Sequence, residues 1–293
     1  MNTDRKIAVI GGDARQIFCA RKLSLLGFET ALFGFDKYKD DIGCCTRCAL
    51  GDEAKYSFDT FLLPLPSFSD GVTLSTPLSE HTLTLDKLFE DTNKDTLILY
   101  GKSSAVKKKC AEKNVLCVDY SERADFQTAN AVPTAESALA IAINELPVTL
   151  CGQSCIVTGF GKIGKVLCRL LYAFGAKVTA TARNSADLAL IRAHGYNAVH
   201  TDQMETVLYN NRVIFNTVPY PVFNSGILDR IHPDSLIIDL ASRPGGVDFE
   251  SAKKAGLNVI WALSLPGKNS PVSAGHILCD TVCSILCETE GAK

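Results

Sequence analysis

A glycine-rich stretch near the middle of the chain constrains the fold more than any other feature. Apolar or β-branched residues at 156–158 lead into a Gly-x-Gly-x-x-Gly pattern, and an amphipathic segment, 162–174, follows. That order predicts a strand, a tight turn and a helix whose unpaired N–H groups bind a pyrophosphate. The alternative is a plain glycine-rich turn. The residues predicted to hold a dinucleotide are Gly159, Phe160, Gly161, Lys162, Ile163 and Gly164.

The bulk properties are those of an ordinary globular chain. With 293 residues, 46% of them hydrophobic and 21% charged, the chain is long enough for two domains with separate cores. Its net charge of −2 argues against binding to nucleic acid or to an anionic membrane. No apolar run approaches the ~18 residues that span a bilayer, and the polar residues 1–6 do not resemble a signal peptide. We therefore expect a cytoplasmic protein.

Twelve cysteines are spread over both halves of the chain. Without an export signal they are expected to be reduced and to behave as small hydrophobic residues. Cys44, Cys45 and Cys48 form a CCxxC cluster, but no second CxxC or histidine pair completes a four-ligand site, so no metal is predicted. Three more cysteines, at 279, 283 and 287, recur every four residues and predict a buried stripe on the last helix.

The first ~130 residues alternate short apolar runs with helical patterns, which predicts a parallel sheet with crossover helices. The predicted strands are 6–10, 29–33, 58–63, 96–100 and 115–118, and the predicted helices are 15–26 and 103–113. Five strands at this spacing are typical of a flavodoxin-like doubly wound domain. The third strand leads through two prolines into a polar loop, 67–79, which is either a lid or a mobile segment.

A helix-forming stretch and a second α/β pattern follow. Pro133 is predicted to end the preceding segment, and residues 133–149 to form a connecting helix that Pro147 stops. Residues 150–270 match a Rossmann dinucleotide-binding domain of six strands. After the run into the glycines, those strands are 177–181, 197–200, 213–217, 236–240 and 258–261. A last helix, from residue 271, is expected to pack on the first domain, so that 1–132 and 271–293 form one discontinuous domain.

The residues after the second Rossmann strand indicate which nucleotide binds. NAD-binding domains place a carboxylate about 20 residues beyond the glycines, on the ribose 2′-hydroxyl. Here that position carries Arg183, Asn184 and Ser185 instead, which suit a 2′-phosphate. We predict NADP, with NAD possible if Arg183 stacks on the adenine and both nucleotides are tolerated.

Three loops leave the carboxyl ends of later strands, where the ligand crevice of such a fold lies. Arg243 precedes Pro244, Gly245 and Gly246, which predicts an anion-binding arginine beside accessible backbone N–H groups. The alternative for Arg243 is a solvated loop arginine, and Lys268 is a further cationic candidate. The predicted cofactor contacts from these loops are Thr217, Val218, Pro219, Leu240 and Ala241.

The end of the first strand of the chain also carries glycines and charge. Gly11 and Gly12 lie at the edge where doubly wound sheets bind ligands, and Arg15 follows, so all three are predicted to bind substrate. Asp13 between them either acts as a base or caps the following helix, which is the commoner role for aspartate there.

Several stretches occur together in an order that resembles one family. They are Gly11-Gly12-Asp13-Ala14-Arg15, Pro133-Thr134-Ala135-Glu136, the glycine motif, Ala241-Ser242-Arg243-Pro244-Gly245-Gly246 and Leu265-Pro266-Gly267-Lys268. Together they resemble the family of the dipicolinate synthase A subunit, over essentially the whole chain. The resemblance implies a protein of the mother cell of sporulating bacteria, working with a flavoprotein-like B subunit. It also implies oxidation of a dihydrodipicolinate-type intermediate, formed from 4-hydroxy-tetrahydrodipicolinate on a branch of the lysine pathway, to dipicolinate.

The implied substrate is a ring with two carboxylates, so two anion sites are expected, with Arg15 on one wall of a cleft and Arg243 on the other. Hydride would pass to nicotinamide C4 while a ring proton leaves. Glu136 is our choice of proton acceptor, with Asp13 and His276 as alternatives, although a glutamate in a helix's first turn equally serves the helix dipole.

Two other functions stay open at this point. One is a different NAD(P)-dependent dehydrogenase of a hydroxy or amino acid, although the chain lacks the clear Arg…Glu…His pattern of 2-hydroxyacid dehydrogenases. The other is a non-catalytic NADP-binding partner of the flavoprotein-like B subunit. An oligomer is expected in either case.

Overall fold

A computed structural model describes residues 4–52, 57–68, 70–90 and 92–291 of the protein. It divides into two compact units, one made of Met1–Asn130 and Ser270–Lys293, the other of Ala131–Asn269. The chain passes from the first unit to the second inside one long helix, and its last helix belongs to the first unit.

The described residues form twelve strands and eleven α-helices. The strands are β1 Lys6–Ile10, β2 Glu29–Phe33, β3 Thr46–Cys48, β4 Thr60–Leu62, β5 Leu97–Tyr100, β6 Leu116–Asp119, β7 Ser154–Thr158, β8 Lys177–Ala182, β9 Asn197–His200, β10 Val213–Asn216, β11 Leu236–Asp239 and β12 Asn258–Trp261. The helices are α1 Ala14–Leu25, α2 Leu85–Leu88, α3 Ser104–Lys113, α4 Ala124–Glu145, α5 Lys162–Ala173, α6 Ser185–Ala193, α7 Glu205–Leu208, α8 Ser225–Leu228, α9 Phe249–Lys254, α10 Leu265–Asn269 and α11 Pro271–Gly291. No described helix combines the length and the apolar character that crossing a membrane requires.

The first unit is a parallel sheet in the order β3-β2-β1-β4-β5-β6. Its central strands are apolar on both faces, as expected when helices cover both sides of a parallel sheet. In β1, Ile7 and Val9 pack into the layer that α1 and α11 cover, whereas Ala8 and Ile10 pack into the opposite layer. The predicted doubly wound fold is confirmed, with the predicted five strands in the flavodoxin order.

Strand β3, which was not predicted, adds a sixth strand at the edge of this sheet. It has three residues, Thr46, Arg47 and Cys48, none of them buried, so no apolar alternation marks it. With β3 included, the strand order is that of a Rossmann sheet.

The CCxxC cluster ends in this edge strand. Burial raises the pKa of the Cys45 thiol to about 11, and burial also raises that of Cys48, so neither is poised as a thiolate. Within the part of the chain that is described, no group of three or more His, Cys, Asp or Glu side chains is arranged for a metal ion.

Helix α11 packs on α1 within the first unit at a position where only glycine fits. A Cβ on Gly275 would lie 2.6 Å from the carbonyl oxygen of Arg15 and 2.7 Å from Cβ of Phe18. Of the predicted cysteine stripe, Cys279 is fully buried but Cys287 is exposed. The prediction is therefore wrong at the carboxyl end of the helix.

The polar loop 67–79, of which residue 69 lies outside the description, is tied to the first sheet. The carbonyl oxygen of Ser75 accepts a hydrogen bond from Gly12 N at 2.8 Å, and Ser79 Oγ donates to Asp36 Oδ1 at 2.6 Å. The Ser79 hydroxyl, together with Glu80 N, lowers the pKa of the Asp36 carboxyl to about 2. The loop is thus anchored beside the end of β1.

The predicted start of the connecting helix is wrong, because α4 begins at Ala124 and Pro133 lies inside it. Proline removes one i to i−4 hydrogen bond, at a cost of about 3 kcal/mol. A continuous helix of 22 residues nevertheless keeps hydrogen bonds that two short helices would lose at their additional ends.

The second unit has the order β12-β11-β10-β7-β8-β9. This is the Rossmann order, in which the direction of winding reverses between β7 and β10 and leaves a crevice at the carboxyl ends of those strands. Apolar cores cover both faces of the sheet. The predicted six-stranded Rossmann fold is confirmed.

Candidate functional site

The three motif glycines have separate roles in the turn between β7 and α5. Gly159 has φ +90°, and a Cβ there would lie 2.6 Å from Thr217 Oγ1. A Cβ on Gly164 would collide with the carbonyl oxygen of Gly159, so this glycine lets α5 approach the turn. A Cβ on Gly161 would meet nothing within 4 Å. Only the middle glycine therefore faces open space.

That open face lies at the amino end of α5, a 12-residue helix whose N-cap, Gly161, contributes no side-chain cap. Uncapped N–H groups and the helix dipole favour a phosphate at this end. Phe160 is buried under the Lys165 ammonium, which lies 5.4 Å from the ring centroid. Lys162 is exposed, whereas Ile163 packs on the core of the unit. The turn fits a dinucleotide pyrophosphate.

Two side chains that follow β8, Arg183 and Asn184, differ in whether they already have hydrogen-bond partners. Arg183 is exposed, and among the described residues its guanidinium has no hydrogen bond or ion pair. Asn184 instead caps α6, accepting from Asp187 N and donating to Asp187 Oδ2, each at 2.7 Å. Asn184 therefore serves as the cap of α6, and its contact with a nucleotide stays a prediction. Ser185 is the exposed first residue of α6, and its contact with the nucleotide stays a prediction.

A row of buried polar side chains joins the carboxyl ends of three strands. Thr158, Asn216 and Asp239 are register partners on β7, β10 and β11, and each is fully buried. Asn216 accepts from Thr158 Oγ1 at 2.7 Å and donates to Asp239 Oδ1 at 2.8 Å. The network fixes the three strand ends beside the crevice.

The loop after β11 is built around Asp239. Its Oδ1 also accepts from Ala241 N at 3.0 Å, and its Oδ2 accepts from Gly246 N at 2.8 Å. Gly245 N donates to Ser242 O at 2.9 Å, so neither glycine N–H is available to a substrate. This corrects the predicted role of Gly245 and Gly246. Their lack of a side chain serves packing instead, against Asp239 and Asn216 respectively.

Arg243 extends from this loop into solvent. Its guanidinium lies 5.8 Å from the ring centroid of Trp261, and among the described residues it has no hydrogen bond or ion pair. Trp261 Nε1 donates to Ala241 O at 3.0 Å, which holds the indole against the loop. An exposed guanidinium on a fixed loop suits recognition of a carboxylate.

The loop after β12 carries the second open cation. Lys268 is exposed near the end of α10, and its ammonium forms no hydrogen bond or ion pair with the described residues. Ser264, between β12 and α10, has φ +58°, a conformation unusual for a residue with a side chain. Such backbone is most often found where a site constrains it.

The remaining predicted cofactor contacts line the same carboxyl edge. Thr217 Oγ1 donates to Thr158 O at 2.8 Å and abuts Gly159, and Val218 N donates to Asn216 Oδ1 at 3.1 Å. Thr217 and Val218 are half-buried and Pro219 is exposed, whereas Leu240 and Ala241 are buried. Their contact with a cofactor stays a prediction.

In the first unit, the predicted substrate residues interact with one another. Asp13 caps α1 and receives two-pronged hydrogen bonds from Arg15, with Nε to Oδ1 at 2.9 Å and Nη2 to Oδ2 at 2.8 Å. Burial disfavours the Arg15 charge, but the hydrogen bond and charge of Asp13 outweigh it and raise the Arg15 pKa. The alternative considered for Asp13, helix capping, is what the structure shows. A carboxylate already paired with arginine is a poor base.

The backbone N–H groups of the first unit's glycines are also engaged. Gly11 N donates to Phe33 O at 2.9 Å and Gly12 N donates to Ser75 O at 2.8 Å. A Cβ on Gly11 would lie 2.9 Å from Ser75 O. Gly11 admits the loop 67–79 to the end of β1, and the N–H groups of both glycines are already bonded, which corrects their predicted role as substrate donors.

Glu136, the predicted proton acceptor, does not lie at the start of a helix. Glu136 lies in the middle of α4, not in a first turn, so the helix-dipole alternative does not apply. It is exposed, as is His276 on α11. A role for Glu136 in proton transfer stays a prediction.

Asn216, Asp239 and Trp261 help to build the site, but the sequence did not predict a role for them. The available signal was position, because Asn216 and Asp239 are polar residues that end otherwise apolar strands. A separate depression of about 540 Å³ lies at the opposite, amino-terminal edge of this sheet, lined by Ser154, Lys177 and Asn197 among others. It includes none of the predicted ligand-binding residues, and the carboxyl edge is where such sheets bind ligands.

Comparison with known proteins agrees with this geometry. Residues 133–251 match the family of the D-isomer specific 2-hydroxyacid dehydrogenase, NAD binding domain, and residues 6–121 match the N-terminal domain of the dipicolinate synthase A subunit. Together with the Rossmann sheet and its glycine turn, these matches define the class: the protein is an NAD(P)-dependent oxidoreductase. Its full-length similarity is more specific and shows that the chain belongs to the family of the dipicolinate synthase A subunit.

The relatives that carry this assignment span the whole chain. The dipicolinate synthase A subunit of Bacillus subtilis (strain 168) is 34% identical over 295 residues, which cover 100% of this chain and 99% of the relative. The crystal structure of the A subunit from Bacillus halodurans aligns with a TM-score of 0.90 at 33% identity, covering 98% and 99% of the two chains. A transhydrogenase from Sinorhizobium meliloti, at 16% identity, 96% and 93% coverage and TM-score 0.71, shares the fold alone. The family resemblance noted in the sequence is confirmed.

Proposed function

We propose that the protein oxidises a dihydrodipicolinate-type intermediate, formed from 4-hydroxy-tetrahydrodipicolinate, to dipicolinate with NADP as oxidant. The observation that carries the proposal is full-length identity of 34% with a dipicolinate synthase A subunit, combined with the Rossmann glycine turn. When bound, the oxidised nicotinamide accepts a hydride at C4. The substrate ring loses that hydride and one proton and becomes aromatic, and the exposed carboxylate of Glu136 is the proposed proton acceptor.

The two carboxylates of this substrate call for two cationic groups. Arg243 and Lys268 follow the carboxyl ends of the neighbouring strands β11 and β12. Both are exposed, and neither forms a hydrogen bond or ion pair with the described residues. Arg15 is less favoured because Asp13 already occupies its guanidinium. We therefore assign one substrate carboxylate to Arg243 and the other to Lys268.

The proposed nucleotide is NADP rather than NAD. Support comes from the open guanidinium of Arg183 at the end of β8, the position at which a Rossmann domain meets the ribose 2′ group. An arginine there offers charge-assisted hydrogen bonds to a 2′-phosphate.

We further propose that the protein acts in a complex. The two full-length relatives from Bacillus are A subunits, which supports a second subunit, and the proposed one is the flavoprotein-like B subunit. The same resemblance supports placing the reaction in the mother cell of a sporulating bacterium.

The variant Arg243→Ala tests the proposal. We expect it to lower kcat/KM for dipicolinate formation by about 10- to 150-fold, because a charge-assisted hydrogen bond is lost. Affinity for the nucleotide should stay within about twofold, since the pyrophosphate site is on another loop. The measurement is ultraviolet absorbance of the pyridine product, with and without the flavoprotein-like partner.

Arg230→Ala is the matched control, since Arg230 is an exposed arginine of the same unit outside the site. Near-normal turnover of Arg243→Ala would contradict the substrate assignment. Wild-type protein that oxidises a hydroxy acid or amino acid but not the dihydropyridine would identify a different dehydrogenase. A chain that binds NADP yet adds no rate to the flavoprotein-like partner would be a non-catalytic component.

A further inference from the structure

Asp239 is the one fully buried carboxylate among the described residues. It accepts hydrogen bonds from Asn216 Nδ2, Ala241 N and Gly246 N at 2.8, 3.0 and 2.8 Å, using both oxygens. All three bonds are donated to it by N–H groups, which is the pattern that an ionised carboxylate forms because it only accepts. No lysine, arginine or histidine of the described chain forms an ion pair with it.

A buried negative charge without a cationic partner is unusual. Three hydrogen-bond dipoles stabilise it in part, but burying a charge remains costly unless an opposite charge is near. The other buried charged residue of the described chain, Arg15, is paired with Asp13. Asp239 thus has an unmet preference for a positive group.

The position of Asp239 indicates which positive group that is. It ends β11 in register with Asn216 of β10, one strand away from the point where the winding of the sheet reverses. The nicotinamide of a dinucleotide bound across this crevice lies on the same side of the glycine turn as β10 and β11. Nicotinamide carries one positive charge when oxidised and none when reduced.

We propose that the negative charge of Asp239 makes the Rossmann site select the oxidised nucleotide over the reduced one. Asp239 does not touch the ring, since it is fully buried. Its charge acts through the protein interior, where the effective dielectric constant is well below that of water. The inference rests on the proposed function, because it requires a nicotinamide nucleotide at this site. It extends that function by giving a reason for the site to take up the oxidised nucleotide and to release the reduced one after the reaction.

Calorimetric titration of the full-length chain with NADP⁺, NADPH and 2′-phospho-ADP-ribose provides the test. The first two differ in the charge of the ring, and the third has no nicotinamide. We expect the wild type to bind NADP⁺ more tightly than NADPH. Asp239→Asn should shift the ratio of the two dissociation constants by about fivefold or more toward NADPH, as expected when a unit charge is lost from a medium of low dielectric constant.

A purely structural role for Asp239 would weaken all three ligands by a similar factor, and that result would overturn the inference. Thr158→Val is the matched control, because it removes a hydrogen bond of the same network without changing charge. It should leave the ratio within about twofold. Trp261, the single tryptophan of the chain, reports through its fluorescence whether the loop held by Asp239 is intact.

The wild type alone keeps the inference testable if Asp239→Asn does not fold. Equal or tighter binding of NADPH by the wild type would overturn it while leaving the proposed function intact. Failure to bind NADP⁺, NADPH and their NAD counterparts would instead contradict the proposed function. If NAD is the preferred nucleotide, the same ratio is measured with NAD⁺ and NADH.

Discussion

Two arginines predicted to bind the same substrate have opposite surroundings. Arg15 is 8% exposed and holds Asp13 with two-pronged hydrogen bonds, whereas Arg243 is exposed and its guanidinium lies beside the indole ring of Trp261. Residue type alone did not separate them, because both follow a strand end beside glycines. Their neighbours in space assign one to the structure of α1 and leave the other available to a ligand.

Arg183 is the residue whose replacement tests the nucleotide. Arg183→Ala should lower the preference for NADP over NAD by about 10- to 150-fold, since a charge-assisted hydrogen bond to the 2′-phosphate is lost. Dissociation constants for both nucleotides measure this, with Arg192→Ala, an exposed arginine on α6, as the control. An unchanged ratio with equal weakening of both would show that Arg183 stacks on the adenine instead.

At the scale of one element, the three glycines in the turn from β7 to α5 have different structural roles. Gly159 allows the turn, Gly164 allows the helix to approach it, and Gly161 leaves the helix amino end open. The motif spacing predicts this division, because each position has a fixed place relative to strand and helix. The loop after β11 differs, because neighbouring side chains occupy the space that a Cβ on either of its glycines would need.

Alanine at two of the motif positions should affect different properties, nucleotide binding in one case and stability in the other. Gly161→Ala should fold normally, because nothing lies within 4 Å of the added Cβ and the backbone φ of −79° suits alanine. It should nevertheless weaken nucleotide binding about tenfold or more, since the methyl group keeps the pyrophosphate from the backbone.

Gly164→Ala should instead destabilise the unit by about 1–3 kcal/mol, as overpacking does. Its added Cβ would collide with the Gly159 carbonyl. Thermal unfolding and nucleotide titration of the two variants separate the effects. Tight nucleotide binding by a well-folded Gly161→Ala protein would show that the pyrophosphate does not use this turn.

At the scale of the whole molecule, two units with the same strand order are built from an interrupted chain. The first sheet and the second both have the winding of a Rossmann domain, although only the second carries the glycine fingerprint. The carboxyl-terminal helix α11 completes the core of the first unit. The stability of that unit therefore depends on residues that are last in the sequence.

Gly275→Ala tests this dependence. Alanine normally stabilises a helix interior by about 1 kcal/mol relative to glycine. Here the added Cβ would contact α1 at 2.6–2.9 Å, so we expect a net loss of about 1–3 kcal/mol. Scanning calorimetry with and without nucleotide assigns the lowered transition to the first unit, because nucleotide stabilises the second. Ser273→Ala, at an exposed position of the same helix, is the control, and a rise in the unfolding temperature of Gly275→Ala would contradict the close packing.

The amino-acid sequence was enough to predict the α/β class, eleven of the twelve strands and the nucleotide turn. Local signals suffice for these, because apolar runs mark strands buried on both faces and glycine spacing marks the turn. It did not reveal β3, whose three residues bury nothing, or the continuity of α4 through Pro133. Strand β3 is held by backbone pairing with β2, and α4 is held by helical hydrogen bonds on both sides of the proline, and an apolar pattern records neither.

Which polar groups are available to a ligand depends instead on tertiary contacts. Gly11, Gly12, Gly245 and Gly246 all looked like open donors, yet their N–H groups are bonded to residues from other parts of the chain or loop. Asp239 looked like the ordinary end of a strand, and its burial without a cation emerges only once β10, β11 and their loops are assembled. Hydrogen bonding and burial depend on neighbours that are distant in sequence, and no local pattern records them.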